Sequence, residues 1–236
     1  MRGFIYSVLL QFKLDIRNKS LLVTCYLVPL LFFLVVSEIF TSIMPETKAT
    51  LIASMTIMQV SMGALIGVPA NIIEVYGTDV KKMYQINGVP LYFGIVTLLI
   101  SSFLHLLIMS LIILGLAPLI YQASLPNNLL VYLITLIIFI AVSLIVGSVL
   151  GLLVKSQTKL SMYAQLVFLP SILLSGIMFD KELLPAFLRY VGNLFPATWS
   201  FELFNHFDLW KLLPLAAIFI IGLVISLILL KKSSLE

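Results

Sequence analysis

The sequence predicts an all-α integral membrane protein with six transmembrane helices, and three observations support this fold class. Of the 236 residues, 61% are hydrophobic and 10% are charged, with a mean hydropathy of +1.18, whereas a soluble domain is roughly 45–50% apolar and about 25% charged. The apolar residues form long continuous runs, and the positive charges cluster on one side of them. We therefore expect a single transmembrane domain over residues 1–236, without a separate soluble catalytic domain.

Six apolar runs are long enough to cross a bilayer, which takes ~20 helical residues. They lie at about Ser20–Ile43, Thr50–Ala70, Leu91–Pro118, Leu129–Val154, Ser161–Met178 and Leu213–Leu230. Their hydrophobicity is continuous rather than alternating, which favours helices over the strands of a membrane barrel. The first run starts too late and is too long for a cleaved signal peptide.

The positive charges predict the orientation of these spans. Ten of the fourteen lie at the termini or in the second and fourth connections: Arg2, Lys13, Arg17, Lys19, Lys81, Lys82, Lys155, Lys159, Lys231 and Lys232. The other four are Lys48, Lys181, Arg189 and Lys211. Because positive residues concentrate in cytoplasmic loops, both termini are expected in the cytoplasm. The abundance of Ile, Leu, Lys and Asn suggests an AT-rich bacterial genome, and hence a bacterial cytoplasmic membrane.

Residues 1–19 have the pattern of an amphipathic helix. Apolar residues recur at helical spacing at Phe4, Ile5, Val8, Leu9, Phe12 and Ile16, and polar residues lie opposite them at Ser7, Gln11, Lys13, Asp15 and Arg17. Such a helix is expected to lie in the inner membrane interface.

The outer segment 179–212 is rich in aromatic residues, including both tryptophans, Trp199 and Trp210, and Pro185 and Pro196 interrupt it. Aromatic rings favour the depth of the lipid headgroups, so short interfacial or re-entrant helices are expected between the fifth and sixth spans. Two roles remain open for this segment: a plain membrane anchor, or a gate on the exit path of a substrate.

The inner connection 71–89 is longer than a turn between two helices requires. A short cytoplasmic helix at about Ile72–Gln85 fits this length and presents charged residues to a partner. The alternative is a solvated loop that only sets the topology.

The chain lacks the motifs of the common enzyme classes. No phosphate-binding GxxxxGK[ST] loop, GxSxG or HExxH motif occurs, and the lone Cys25 excludes an internal disulfide. His105 and His206 are expected far apart, so a metal site lacks ligands. We expect no catalytic residues, no metal site and no enzymatic activity in this chain itself.

Polar and small residues within the spans mark packing or transport positions. Glu38, Gln59, His105 and Gln165 are costly in lipid unless they are paired or face a cavity. Met55, Met58 and Met62 share one helix face next to Gln59, which suits an adaptable apolar surface. Two small-residue patterns predict close helix packing, Gly63 with Gly67 and Ser143 with Gly147 and Gly151, while Pro29 and Pro170 predict kinks.

Four features, in this order, resemble one family. They are the amphipathic amino-terminal helix before a first span that contains Pro29; the inner loop IIEVYGTDVKKMYQINGVP; the stretch SVLGLLVKSQTK; and the stretch LPSILLSGIMFDKELLPAFLRYVGNLFPATW. The second resembles an E-x-x-GT … P pattern through Glu74, Gly77, Thr78 and Pro90. The fourth resembles an LSG-x-x-F … LP … P signature. Together they resemble the membrane subunits (permeases) of the ATP-binding-cassette (ABC) type-2 exporters, although Ile72 and Ile73 stand where many members have an arginine or a second acid.

This resemblance implies two permease subunits, identical or related, in complex with two cytoplasmic ABC ATPase subunits. ATP and Mg would be bound by the ATPase and no cofactor by this chain, and no nucleic acid is expected as a partner. The implied residues fall into three groups. Coupling to the ATPase would involve Glu74, Tyr76, Gly77, Thr78, Asp79, Lys81 and Lys82. The substrate path would be lined by Met55, Gln59, Met62, Gln165 and Phe168. The outer gate would include Ser175, Gly176, Phe179, Pro185 and Trp199.

The function that follows is ATP-driven export of an amphipathic or apolar cargo, such as a peptide toxin or bacteriocin, a drug or a lipid. The alternative is a non-energised channel or a membrane scaffold, neither of which would depend on an ATPase.

Overall fold

A computed structural model of the protein describes residues 2–76, 83–84, 86–178 and 180–235. Within these ranges the regular structure is entirely helical. The first helix, α1, covers Arg2–Arg17, which confirms the helix predicted at the amino terminus.

The first two spans are each built from α-helical pieces joined by a short π-helical turn, a wider helical turn with one extra residue. In the first span, α2 (Lys19–Leu22), the π-turn Val23–Leu27 and α3 (Val28–Ile43) follow one another without a break. A 3₁₀ turn at Pro45–Ala49 then leads to the second span.

The second span consists of α4 (Leu51–Met62), the π-turn Gly63–Gly67 and α5 (Val68–Tyr76). Its predicted end at Ala70 is therefore six residues too early. Ile72 is fully buried against Gly151 of a neighbouring helix, and this packing extends the helix. Residues 72–76, predicted to start a separate cytoplasmic helix, belong to the second span, and residues 77–82 and 85 of that prediction lie outside the described residues.

Three further helices complete the central bundle: α6 (Leu91–Tyr121), α7 (Leu129–Leu153) and α8 (Gln157–Leu173). α6 runs three residues past its predicted end at Pro118 and stops where Gln122 takes a left-handed conformation, with φ of 54°. Asn128 caps α7, since its side-chain oxygen accepts from the N–H groups of Leu130 and Val131.

The outer segment contains short helices before the last long one. A 3₁₀ turn, Lys181–Leu183, is followed by α9 (Ala186–Gly192) and α10 (Pro196–Asn205). After a second 3₁₀ turn at Leu209–Lys211, helix α11 covers Leu212–Leu235. Short helices therefore stand where they were predicted, and their depth at the outer membrane interface remains a prediction.

In the described part of the chain, five helices are long and apolar enough to cross a membrane: Val23–Ile43, Leu51–Tyr76, Tyr92–Tyr121, Leu129–Leu153 and Leu209–Lys232. The fifth predicted span corresponds to α8, whose 17 residues give a length of ~25 Å at 1.5 Å per residue. That is the short end of the range for a membrane-crossing helix. Six spans with both termini in the cytoplasm thus remain a prediction.

The second span is the centre of the bundle, since 89% of the residues in its most apolar stretch are buried within this single chain. Its closest neighbour is α7. A Cβ atom placed on Gly147 would lie only 1.9 Å from the Ala64 carbonyl oxygen, and one on Gly151 would lie 2.8 Å from Ile72 Cβ. The small-residue pattern of the fourth predicted span is thereby confirmed as a close-packing face.

Candidate functional site

Both π-turns end immediately before a Val–Pro pair. Val23–Leu27 is followed by Val28 and Pro29, and Gly63–Gly67 by the same pair at positions 68 and 69. In each case the valine N–H donates to the carbonyl five residues earlier instead of four. The proline that follows has no N–H, and its ring clashes with the carbonyl four residues before it. The helix accommodates this clash by widening for one turn, a feature that is frequent at functional sites.

The two π-turns lie side by side. A Cβ on Gly67 would be 3.4 Å from Thr24 Cγ2 and 3.5 Å from Cys25 Sγ, both of which are ordinary van der Waals distances. A residue as small as alanine would therefore also fit at position 67, and the contact requires a small residue there, as at many membrane helix interfaces.

Next to this contact is a cavity of about 180 Å³ between the first span, the second span and α8. Its wall is formed by residues of these three elements: Leu21, Thr24, Ile66, Gly67, Ala70, Asn71, Gln157, Leu160, Ser161 and Ala164. Because three separate elements contribute to the wall, a relative shift of any one of them changes the shape of the cavity.

The lining of the cavity is uncharged. Its polar groups are hydroxyls and amides, and among them the Nδ2 of Asn71 is buried without a hydrogen-bond partner. An unsatisfied buried amide is costly, and a bound molecule with an acceptor atom would relieve that cost. The cavity therefore suits a molecule that combines apolar surface with neutral polar groups.

The residues predicted for the substrate path do not share this cavity. Met55 and Gln59 are 2% exposed, and Gln59 Oε1 accepts a hydrogen bond from Ser110 Oγ of α6 at 3.0 Å. Gln165 lies on the exposed face of α8, whereas Phe168 belongs to the central hydrophobic core. Met62 is partly buried against the same core, to which Met55 also belongs, so within one chain three of the five residues meet in the core while Gln59 binds α6 and Gln165 is exposed.

The predicted coupling residues begin at the end of the second span. Glu74 is exposed there, and the hydroxyl of Tyr76 is close to Gly94 of α6, where a Cβ would lie 3.0 Å from it. Gly77, Thr78, Asp79, Lys81 and Lys82 lie outside the described residues. Since α5 contains both Glu74 and the cavity residue Asn71, one helical turn joins the predicted coupling region to the cavity wall.

The outer segment is held by a cluster of charged residues centred on Glu202. Lys181 donates to Glu202 Oε1, and Lys211 Nζ is 3.2 Å from Oε2. Burial alone would raise the pKa of the Glu202 carboxyl, but the two lysines outweigh it and lower that pKa. Lys181 also lies 6.0 Å from the ring centroid of Trp199, a distance suited to a cation–π contact.

Three of the predicted gate residues lie in ordered positions around this cluster. Trp199 Nε1 donates to the carbonyl of Asn193 at 2.8 Å, and Ser175 Oγ donates to the carbonyl of Ile172 at 2.7 Å. Gly176 has φ of +92°, and a Cβ there would meet Lys181 Cγ at 3.3 Å and Phe201 Cδ1 at 3.4 Å. Pro185 is exposed before α9, and Phe179 lies outside the described residues.

Sequence reasoning missed the polar residues of the cavity and the central role of Glu202. Thr24, Asn71, Gln157 and Ser161 stand at the ends of apolar runs, where polar residues are ordinary. The available signal was the recurrence of Val–Pro at 28–29 and 68–69, which places matching distortions in the first two spans.

A bundle of long apolar helices is the architecture of a polytopic membrane protein. Among the described residues, no group of three His, Cys, Asp or Glu side chains is placed to hold a metal ion. The sequence profile of the family described as ABC-2 type transporter matches residues 3–207, and the chain belongs to this family. The family comprises transport permease components. A comparison with individual curated proteins gave no match.

Proposed function

We propose that this chain is the permease subunit of an ATP-driven exporter and that it works as a pair with two cytoplasmic ABC ATPase subunits. The observation that carries this proposal is the continuity of α5. The exposed Glu74 and the cavity residues Ala70 and Asn71 belong to the same short helix. A push on Glu74 from an ATPase would therefore move the cavity wall directly. ATP and Mg would be bound by the ATPase.

The packing of α5 on α7 indicates which end of the bundle faces the cytoplasm. Gly151 contacts Ile72 and Pro69, so the end of α7 that leads to Lys155 lies beside the end of α5 that carries Glu74. Positive residues concentrate on the cytoplasmic side, which supports a cytoplasmic position for this end of the bundle and for both termini. The proposed location is a bacterial cytoplasmic membrane.

The cargo we propose is amphipathic or apolar: a peptide toxin or bacteriocin, a drug or a lipid. The uncharged lining with its unpartnered Asn71 amide supports this class. The cavity of about 180 Å³ is smaller than the roughly 300–1,000 Å³ of pockets for drug-sized ligands. One chain would therefore hold only part of such a cargo, and a second permease copy would complete the site.

Affinity purification of the tagged chain in mild detergent tests the partnership. We expect an ATPase with a GxxxxGK[ST] motif to co-purify in equal amount. Recovery of the chain without any nucleotide-binding partner, even after crosslinking in membranes, would reject the exporter and leave a channel or scaffold.

Charge reversal at Glu74 combined with Gly77→Pro tests the coupling assignment. We expect the complex to assemble in the membrane and hydrolyse ATP but to lose export, because the contact that transmits the motion is gone. Glu46→Lys, a charge reversal at an exposed acid in another connection, is the control and should export normally. Unchanged export by the double variant would remove the coupling assignment.

A further inference from the structure

A buried carboxylate joins α1 to the bundle. Asp15 is only 4% exposed, although an amphipathic helix at a membrane surface normally turns its charged residues to water. Its Oδ1 accepts a hydrogen bond from Gln11 Nε2 at 2.8 Å, and its Oδ2 accepts one from Ser101 Oγ of α6. The carboxylate thus connects α1 to α6, the third span.

The group that faces this carboxylate is the imidazole of His105, which is fully buried. His105 Nε2 lies 3.9 Å from Asp15 Oδ2 and has no hydrogen-bond partner, and Nδ1 is hydrogen-bonded to Tyr26 Oη at 2.7 Å. Phe12 of α1 stacks on the ring, with centroids 4.3 Å apart and an interplanar angle of 7°. Two residues of α1 therefore contact the same imidazole: Asp15 faces it with its carboxylate, and Phe12 stacks on its ring.

Two cations of α1 that flank Asp15 in the sequence are placed away from this pair. Lys13 and Arg17 are exposed, and residues two positions from Asp15 on a helix point to the opposite side. From the first span, Cys25 and Tyr26 lie within electrostatic reach of Asp15, and both side chains are uncharged at neutral pH.

The pair is electrically neutral in only one of its three protonation states. With one proton, on either the carboxyl or the imidazole, the net charge is zero, without a proton it is −1, and with two protons it is +1. A net charge in a buried site is costly. Burial accordingly raises the pKa of the Asp15 carboxyl, although the hydrogen bonds from Ser101 and Gln11 act in the opposite direction.

We propose that Asp15 and His105 form a binding site for a single proton, and that this proton holds α1 against the bundle. When α1 leaves the bundle, both groups gain water and their proton affinities return towards ordinary values. Linkage then requires that docking weaken as the pH rises and the pair loses its single proton. Docking also weakens at low pH, when a second proton gives the pair a positive charge. The docked fraction is therefore a bell-shaped function of pH.

Hydrogen exchange of the full chain in lipid nanodiscs tests this proposal. The protection of the α1 amides, corrected for the intrinsic pH dependence of exchange, is measured from about pH 3 to about pH 9, a window that spans the ordinary pKa values of aspartic acid and histidine. We expect protection to fall by about tenfold or more on each side of a maximum, since one pKa unit corresponds to tenfold in population. Amides of α7 serve as the internal reference for global opening.

Two variants separate the limbs of this profile. Asp15→Asn cannot become negative, so it should lose the alkaline limb and keep an acid limb that is shifted to higher pH, because only the histidine then titrates. His105→Gln cannot become positive, so it should lose the acid limb and keep an alkaline limb shifted to lower pH. Asp180→Asn, at an exposed carboxylate of the outer segment, should leave the profile unchanged.

A structural role alone would lower the protection of α1 equally at every pH in both variants. That result, or protection in the wild-type chain that does not vary with pH, would overturn the proposal. If Asp15→Asn also lost protection in α7, and so failed to fold, the loss of the acid limb in His105→Gln would decide the question alone.

Discussion

Substitution of Gly147 by alanine tests whether the contact between the second span and α7 determines the spacing of the bundle. The added Cβ would lie 1.9 Å from the Ala64 carbonyl oxygen, and real Cβ contacts essentially never fall below 3.0 Å. The two backbones must therefore separate by at least 1.1 Å, the difference between these distances. Because the obstacle is a backbone atom inside a helix, no side-chain rotation can relieve it.

Overpacking of this kind typically costs about 1–3 kcal/mol. Gly115→Ala is the matched control, since it makes the same change in α6 where no atom lies within 4 Å of the new Cβ. Alanine is the better helix former by about 1 kcal/mol, so Gly115→Ala should be neutral or stabilising, and Gly147→Ala should be clearly destabilising. Reversible unfolding in mixed detergent micelles measures both. Equal stability of the two variants would refute the close-packing argument.

Three further predictions concern the cavity and the outer segment. Ala70→Phe should fill the cavity and abolish cargo transport in vesicles without loss of folded protein, while Ala216→Phe on the exposed face of α11 should have no effect; full transport by the first variant would show that the cavity is not on the path. The lowered pKa of Glu202 means that its stabilisation is complete above the ordinary glutamic acid value of 4.5 and is lost as the pH falls through the lowered value. Glu202→Gln should therefore lower the thermal stability at neutral pH and remove this part of the acid dependence, and an unchanged acid profile would contradict the assignment. Gly176→Ala should cost about 1–3 kcal/mol, because the φ of +92° is strained for any residue with a Cβ; thermal unfolding that matches the wild type would show that the turn relaxes freely.

Hydropathy was enough to locate the long helices, because a run of apolar residues has few alternatives to a helix in lipid. The exact ends of these helices could not be predicted from hydropathy. The second span continues to Tyr76 because Ile72 packs on Gly151, and these residues are 79 positions apart in the chain. Local sequence contains no information about such a contact.

The candidate site shows the same limit. Asp15 was expected on the polar face of α1, yet it is buried because Ser101, 86 residues away, donates to it. The cavity depends on three elements that are distant in sequence, so no single motif could define it. The family pattern predicted roles for the inner loop after the second span and for the outer segment, and these roles stay predictions. It could not predict that Gln59 binds Ser110 inside the chain.

The paired π-turns also change how the helices should be drawn on a helical wheel. A π-turn inserts one residue into the spiral, which at 3.6 residues per turn rotates everything beyond it by about 100°. Side chains before Val23–Leu27 and after it therefore belong to different phases, and the same holds across Gly63–Gly67. Any accessibility scan of these two spans must restart its angular count at each π-turn. Without that correction, every position beyond a π-turn would be assigned to a face about 100° away from the one it occupies.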